Sequence, residues 1–202
     1  MNKTSLRLGI IAFFAAIICA TSFFRIPIPG ITGGIVIQNA MCIMTAVLLG
    51  GVWGGLPTAL FFVAGIIGLP VFSGGQGGFQ VLMNINGGFR IGWVLGAFAA
   101  SFIAGIPDPQ KNLSAKKIVR LSIAVLAGML LLYVPEIFYV LGFKGKEMGT
   151  AGALKFFLTA YFTPFLLVDF IKAVIVILLC LKIRPIVALY LYEEKIDNSE
   201  EK

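Results

Sequence analysis

The chain has 202 residues, of which 59% are apolar and only 12% charged, and its mean hydropathy is +0.99. A water-soluble domain carries roughly 25% charged residues, so the composition excludes such a domain and favours a membrane protein. The formal net charge is +7. The Lys and Arg residues lie beside apolar runs and form no basic face interleaved with aromatic side chains, so we expect a lipid bilayer and no nucleic acid as their partner.

Six apolar runs between turn residues are candidate membrane spans, since a helix needs about 20 residues to cross the hydrocarbon core. The runs are continuous and not alternating, and a helix satisfies its own backbone hydrogen bonds in lipid, so we predict helices and not a β-barrel. The predicted spans are about Leu8–Phe24, Ile35–Leu49, Gly51–Leu69, Ile91–Ile106, Ile118–Leu141 and Tyr161–Ile183. The expected fold is therefore an all-α integral membrane protein, with six transmembrane helices in a single domain over residues 1–202.

The first span follows Lys3 and Arg7, as the apolar region of a secretory signal peptide would, but it is long for such a region. We therefore predict a first transmembrane helix. Ala12, Ala16 and Ala20 form an alanine stripe at helical spacing, which lets another helix approach closely. Spacing alone leaves open whether that helix belongs to the same chain or to a partner.

The distribution of cations predicts the orientation, because cytoplasmic loops carry more Lys and Arg. With six spans, ten cations lie on the side of the termini and five on the opposite side. The ten are Lys3, Arg7, Lys111, Lys116, Lys117, Arg120, Lys182, Arg184, Lys195 and Lys202, and the five are Arg25, Arg90, Lys144, Lys146 and Lys155. Both termini are therefore predicted to be cytoplasmic, and the segments Arg25–Gly34, Pro70–Arg90 and Gly142–Ala160 to face outward.

Glycine-rich turns connect several of these spans. The second and third spans meet at Gly50-Gly51 without a polar loop, and the missing Cβ atoms permit a sharp turn there. In the first two outer segments glycines alternate with bulky apolar residues, which favours ordered loops folded back over the helices. Simple connectors between helices are the alternative.

Asp169 and Lys172 lie within the sixth span, where each charge costs about 2.5–3.5 kcal/mol on insertion scales. Three residues of helix rotate by about 300°, which brings both side chains to one face, so they can share a polar cavity. A buried ion pair is rarely better than apolar packing for stability alone. We therefore favour a small-ligand site, in which the carboxylate accepts from N–H groups and the ammonium donates to a carbonyl or carboxylate. The alternative is a pair that only fixes helix packing.

Further polar side chains are expected near the outer face. Asn84 and Gln38 are candidate ligand contacts, and their alternative roles are loop capping and Asx-turns. Asn86 and Gln80 are weaker candidates of the same kind. Arg90 stands at the start of the fourth span, where a cation that snorkels to the membrane surface is more typical than one that meets an anion.

Residue content excludes several chemistries. The chain contains no His, which removes the usual general base and the His-based metal sites, so we expect no enzyme activity, no metal ion and no cofactor. The stretch G-G-Q-G-G (Gly74–Gly78) lacks the following Lys-Ser/Thr of a P-loop. Any work driven by ATP would need another subunit.

Several segments together resemble BioY, the biotin-binding S component of energy-coupling factor (ECF) vitamin transporters, over nearly the whole chain. They are I-P-I-P-G-I-T (Ile26–Thr32) with Gln38 beyond it, G-L-P-V-F-S-G-G-Q-G-G (Gly68–Gly78), N-G-G-F (Asn86–Phe89), the alanine stripe and P-F-L-L-V-D-F-I-K (Pro164–Lys172). The resemblance implies a six-helix subunit of a prokaryotic plasma membrane that captures biotin from outside. It also implies partners: a transmembrane coupling subunit (T component) docked on the alanine stripe, and a pair of ATPase subunits.

With biotin as the substrate that the resemblance implies, the expected contacts of the ureido group are Asp169, Asn84 and Lys172. The valerate carboxylate is expected near Gln38 and the backbone N–H groups of Gly74–Gly78. Two alternatives stay open. A self-sufficient permease would transport without partners, and a membrane-embedded enzyme would use Asp169 as an acid or base, which the missing His disfavours.

Overall fold

The computed structural model describes residues 3–26, 34–109 and 114–192. These residues form seven α-helices: α1 (Lys3–Ala20), α2 (Gln38–Leu49), α3 (Leu56–Ile66), α4 (Gly87–Ala104), α5 (Ala115–Leu131), α6 (Tyr133–Phe157) and α7 (Thr163–Tyr192). The predicted helical class is confirmed, apart from a two-residue strand pair described below. Most of the motif Ile26–Thr32 lies outside the described residues, as do Lys111, Lys195 and Lys202.

Three helical stretches of the described chain are long and apolar enough to cross a membrane. They are Thr4–Phe23, Gly87–Ala104 and the nearly continuous stretch Ala115–Tyr192. Helices α2 and α3 are apolar but have only 12 and 11 residues. At 1.5 Å per residue, each is shorter than the hydrocarbon core of about 30 Å, so the count of six spans stays a prediction.

The boundaries differ from the prediction in the second half of the chain. The predicted span Ile118–Leu141 is divided between α5 and α6, because Pro135 has no N–H to donate to the carbonyl of Leu131, where α5 ends. Helix α6 then runs to Phe157, so most of the third outer segment is helical, with a break at Gly149 (φ 72°, ψ 166°). Helix α7 ends at Tyr192, beyond the predicted end at Ile183.

The predicted turn between the second and third spans is confirmed. Gly50 and Gly51 have φ values of 64° and 57°. A Cβ on Gly50 would lie 2.0 Å from the carbonyl oxygen of Gly105, so only glycine fits. Ser101 of α4 secures the turn, since its hydroxyl donates to the carbonyl of Gly51 at 2.6 Å and its own carbonyl accepts from the Gly51 N–H at 3.1 Å.

Helix α4 lies at the centre of the bundle, where it packs on α2, α5 and α6. Small residues on α4 make this possible, because backbones approach closely where side chains are absent. A Cβ on Gly92 would lie 2.5 Å from the carbonyl oxygen of Leu132, and one on Gly96 would lie 2.5 Å from that of Gly128. The main apolar core surrounds these contacts and includes the fully buried Ile43 and Leu121.

One end of the bundle, here called the terminal end, holds both helices that lead to the chain termini. The guanidinium of Arg7 on α1 donates to the carbonyl of Leu191 on α7 at 3.1 Å. The hydroxyl of Tyr192 donates to the carbonyl of Leu49 at 3.0 Å. Arg184 donates to the carbonyls of Ala104, at 2.7 Å, and Gly105, which end α4. Residues 7 and 191 therefore lie at the same end, as an even number of crossings requires.

The opposite end, here called the loop end, holds the second outer segment and the described residues of the first, which are Arg25, Ile26 and Gly34. Strand β1 (Arg25–Ile26) pairs antiparallel with β2 (Ile35–Val36). In the second outer segment the N–H of Gly74 donates to the carbonyl of Ser22 at 3.1 Å, and that of Gly78 to the carbonyl of Gly65 at 2.7 Å. These bonds tie residues 70–86 to α3 and to the residues that directly follow α1, so this segment is an ordered loop.

Candidate functional site

A cavity of about 150 Å³ lies at the loop end, among α2, α4, the junction of α5 and α6, and α7. Its aromatic walls are formed by Phe89, Trp93, Tyr133, Tyr161 and Phe165. Its charged and amide-bearing lining residues are Arg25, Asn39, Gln76, Asn86, Arg90, Asp169 and Lys172. Pockets for small molecules typically combine such apolar walls with a few polar groups that fix the orientation of the ligand.

Asp169 is the centre of a hydrogen-bonded cluster in this cavity. Its Oδ1 accepts from the Nζ of Lys172 at 2.8 Å and from the Nδ2 of Asn39 at 3.3 Å. Its Oδ2 accepts from the hydroxyl of Tyr133 at 2.5 Å. Lys172 also donates to the Oδ1 of Asn39 at 3.2 Å. Each charged side chain of the pair is only 12% exposed, so the predicted pair forms and lines the cavity.

The elements explain why these four side chains meet. Asp169 and Lys172 lie three residues apart on one face of α7, which is continuous through both positions. Asn39 lies in the first turn of α2, and Tyr133 is the first residue of α6, directly after the break before Pro135. Tyr133 of α6 thus brings an aromatic hydroxyl to the carboxylate of a different helix.

Arg90 lies inside the protein, so the prediction that it snorkels to the membrane surface is wrong. The residue is 8% exposed, and its guanidinium lies 5.5 Å from the ring centre of Phe72. It donates to the carbonyls of Val81 and Asn86, both at 3.1 Å, and to the Oε1 of Gln76 at 2.6 Å. The ordered loop surrounds the first turn of α4, so the side chain finds partners there and not at the lipid headgroups.

The formal charges of the cavity favour an anionic ligand. Arg25, Arg90 and Lys172 provide three cations, whereas Asp169 is the one carboxylate among the described lining residues. Lys172 and Asp169 neutralise each other through their contact. The formal charge of the lining residues is therefore positive, which stabilises a carboxylate in a partly desolvated site.

Gln38 does not line the cavity but is fully buried beside it. Its Nε2 donates to the carbonyls of Ile18, at 3.1 Å, and Val71, at 2.7 Å, while its Oε1 accepts from the hydroxyl of Ser73 at 2.8 Å. The donors and an acceptor lone pair of the amide are thus occupied by the protein. Gln38 joins α1 and the ordered loop to α2, and the predicted ligand contact finds no support in this geometry.

We expect Gln38→Leu to destabilise the ligand-free protein. The substitution takes the amide donor from the carbonyl of Val71 and the acceptor from the hydroxyl of Ser73, and an unsatisfied polar group in the interior costs about 1–3 kcal/mol. A lower midpoint of thermal unfolding in detergent is the expected result. Gln80→Leu is the control, because the side chain of Gln80 is exposed and donates to the carbonyl of Gly77 within the same loop. Equal midpoints for the two variants would contradict this role of Gln38.

Asn84 is also separate from the cavity. Its side chain is exposed, and its backbone carbonyl accepts from the N–H of Gly87 at 2.8 Å. The turn that it forms leads into α4 and directs Asn86, two residues later, towards the cavity. The backbone N–H groups of Gly74–Gly78 were also predicted to meet the ligand. Those of Gly74 and Gly78 instead donate to carbonyls of the protein.

The alanine stripe faces away from the bundle. Ala12, Ala16 and Ala20 are exposed, whereas Ala15 and Ile18 on the opposite face of α1 are buried. The stripe is therefore not used for packing within the described chain.

No group of three or more His, Cys, Asp and Glu side chains that could hold a metal ion occurs in residues 3–26, 34–109 and 114–192.

Comparison with known proteins gives the family. A family model described as the BioY family matches residues 1–189. The chain belongs to the BioY family. Proteins named biotin transporter BioY from Thermotoga maritima and Rhodobacter capsulatus are 29% and 30% identical to it, over 86% and 82% of this chain and 92% and 86% of the relatives. A third, from Rhizobium etli, is 31% identical over 69% of this chain and 78% of its own length.

A solved structure agrees with this family. It is the crystal structure of the S-component for biotin from an ECF-type ABC transporter, with a TM-score of 0.72, 28% identity, and coverage of 91% of this chain and 94% of that one. The fold of this BioY protein is therefore that of an S component. Membership of a transporter family, together with the long apolar helices, identifies a multi-pass membrane transport protein and not an enzyme.

Sequence reasoning missed several lining residues of this BioY protein. Asn39 was detectable as an amide at the start of an apolar helix, next to Gln38, but sequence alone does not say which of the two faces the cavity. Tyr133 and Arg25 carried no distinguishing signal, because aromatic residues and flanking cations are common at the ends of membrane spans. Their roles depend on tertiary contacts, which are the hydrogen bond from Tyr133 to α7 and the β1–β2 pair.

Proposed function

We propose that this chain captures biotin at the outer side of the cell membrane, as the substrate-specific S component of an ATP-driven ECF transporter. The observation that carries the proposal is the composition of the cavity lining. The lining combines the hydrogen-bonded cluster around Asp169 with aromatic walls and with the guanidinium groups of Arg25 and Arg90. Biotin has a neutral ureido group, an apolar ring system and a carboxylate. These three parts correspond to the three kinds of lining residue.

In the proposed complex, the ureido N–H groups donate to Asp169, and the ureido carbonyl accepts from Lys172 or Asn39. The fused rings lie between aromatic walls, whose burial contributes most of the affinity. The valerate carboxylate meets Arg90 and Arg25. Asn39 and Tyr133 thus replace Asn84 near the ureido group, and the guanidinium groups replace Gln38 near the carboxylate.

The proposed arrangement in the membrane has six crossings, cytoplasmic termini and a single domain over residues 1–202. The terminal end then faces the cytoplasm and the loop end, with the cavity, faces outward. The excess of cations that the sequence predicts on the side of the termini supports this orientation. The contact between Arg7 and the carbonyl of Leu191 supports an even number of crossings.

The proposed partners are a transmembrane coupling subunit and a pair of ATPase subunits. The chain has no P-loop of its own, so energy from ATP must come from another polypeptide. The exposed alanine stripe on α1 is the proposed docking surface, because small residues let a partner helix approach closely. Biotin is the substrate in this scheme, and no cofactor takes part.

We expect Ala16→Trp to separate binding from transport. A bulky ring on the alanine stripe keeps a partner helix away, so uptake by the assembled transporter should fall by at least about tenfold. Biotin binding by the isolated chain should stay within about twofold in titration calorimetry. Phe13→Trp is the matched control, because Phe13 is an exposed residue of α1 outside the stripe. Equal losses of binding and uptake would mean that the stripe does not serve a partner.

Transport itself is tested by reconstitution into vesicles. We expect labelled biotin to accumulate only when the chain is combined with the coupling subunit and the ATPase subunits, and only with ATP. Accumulation by the purified chain alone would instead favour a self-sufficient permease. Absence of accumulation with all subunits and ATP present would contradict the proposed function.

A further inference from the structure

Buried polar atoms without a partner concentrate around the first turn of α4. Seven such side-chain atoms occur among the described residues, and four of them belong to Asn86, Arg90, Glu136 and Tyr161. Asn86, Arg90 and Tyr161 line the cavity, whereas Glu136 does not. Buried polar groups are hydrogen-bonded in the large majority of cases. The grouping of unpartnered atoms near α4 therefore requires an explanation, and the Asp169–Lys172 pair on α7 does not provide one.

Glu136 is fully buried and bonds to the start of α4 from a different helix. Its Oε2 accepts from the backbone N–H of Phe89 at 2.9 Å. The helices touch at this point, because a Cβ on Gly88 would lie 2.6 Å from the Cα of Glu136. The first N–H groups of a helix have no partner within the helix, and their positive end favours a carboxylate. Glu136 of α6 therefore caps α4.

Asn86 occupies the N-cap position of α4 but does not cap it. Asn is among the residue types preferred at this position, where the side chain normally accepts from the second or third helical N–H. Here Asn86 makes no such bond, and its φ of −92° and ψ of 10° differ from the extended conformation usual for a capping residue. Its Oδ1 is buried, lacks a partner and belongs to a residue of the cavity lining.

We infer that Glu136 is a positioning residue for substrate binding: by capping α4 from α6, it leaves the amide of Asn86 available to the ligand in the cavity. The inference rests on the proposed function for the identity of that ligand. The amide offers a carbonyl to ligand N–H groups and two N–H donors to a carbonyl or carboxylate. Arg90 is held in the same turn, since it donates to the backbone carbonyl of Asn86.

A double-mutant cycle tests whether Glu136 acts through Asn86. Removal of one ligand hydrogen bond costs about tenfold in dissociation constant, so Asn86→Ala and Glu136→Ala should each weaken biotin binding by about that factor. In the Asn86→Ala background, Glu136→Ala should add less than about threefold. Glu136→Gln keeps an oxygen for the N–H of Phe89 and should retain binding within about threefold. Glu147→Ala, at an exposed residue of the same helix, is the control.

The cycle separates a positioning role from a general structural one. Losses that multiply in the double variant would overturn the inference, because they would mean that Glu136 and Asn86 act independently. Failure of Glu136→Gln to retain binding would also overturn it, since the hydrogen bond to Phe89 is the proposed link.

Thermal unfolding of the ligand-free protein gives a second measurement, which is needed if Glu136→Ala does not fold. Because Asn86 does not cap α4, Asn86→Ala should leave the unfolding midpoint unchanged while it weakens binding. A lower midpoint for this variant, or unchanged affinity, would overturn the inference. If the unsubstituted chain does not bind biotin, the proposed function fails. The unfolding midpoints still test the capping arrangement in that case.

Discussion

Asp169→Asn is expected to weaken biotin binding by about tenfold to more than a hundredfold. The substitution keeps the shape of the side chain but replaces one acceptor oxygen with an NH₂ donor, which faces the ureido N–H groups. It also leaves the ammonium of Lys172 without its counter-ion. Loss of a hydrogen bond to a charged group costs about 1.5–3 kcal/mol, which corresponds to this range of dissociation constants. Titration calorimetry on the purified chain measures the effect.

Glu147→Gln is the matched control for this substitution. It makes the same change of a carboxylate to an amide, but at an exposed residue whose partner is Lys144 on the same helix. Its affinity for biotin should equal that of the parent. If Asp169→Asn also binds biotin as tightly as the parent, the assignment of the ureido site is wrong, and the ion pair on α7 serves only to pack the helices.

Arg90→Gln is expected to remove the preference for a carboxylate. If the guanidinium meets the valerate group, the parent should bind biotin more tightly than its neutral amide by about tenfold to a hundredfold. In Arg90→Gln this ratio should fall by about tenfold or more, because a neutral side chain no longer stabilises the anion. Competition between the two ligands in titration calorimetry measures the ratio.

The ratio within one variant also controls for loss of structure. Arg90 donates hydrogen bonds to Val81, Asn86 and Gln76, so its substitution is expected to lower the stability of the protein. Misfolding would lower the affinity for biotin and for its amide by the same factor, and would leave the ratio unchanged. Arg120→Gln is the second control, since Arg120 donates to the carbonyl of Ile103 at the terminal end. A ratio in Arg90→Gln equal to that of the parent would exclude Arg90 as the carboxylate site.

The helical fold and the ion pair follow from local sequence physics. Long apolar runs predict helices in lipid, and the spacing of Asp169 and Lys172 predicts one face of one helix. The Gly50-Gly51 turn follows from the same kind of local rule, because glycine alone fits its backbone angles. Sequence therefore predicts the features whose interacting residues lie within a few positions of each other in the chain.

The parts of the site that were missed depend on contacts between distant segments. Arg90 is buried because residues 70–86 fold over the first turn of α4, and Tyr133 of α6 donates to Asp169 of α7, 36 residues away in the chain. Asn84 and Gln38 were the expected ligand contacts, but one is exposed and the other bonds to α1 and the loop. Asn84 and Gln38 carry the same carboxamide group as Asn39 and Asn86. Only the tertiary fold shows that the last two line the cavity and the first two do not.

The most direct test of the central claim is chemical analysis of the purified chain. The protein would be expressed alone in cells that contain biotin, purified in detergent, denatured, and examined by mass spectrometry for released small molecules. We predict that biotin is recovered in about a one-to-one ratio with the parent chain, and in a clearly smaller amount with Asp169→Asn. Absence of biotin from the parent, together with no heat of binding when biotin is added, would contradict the account.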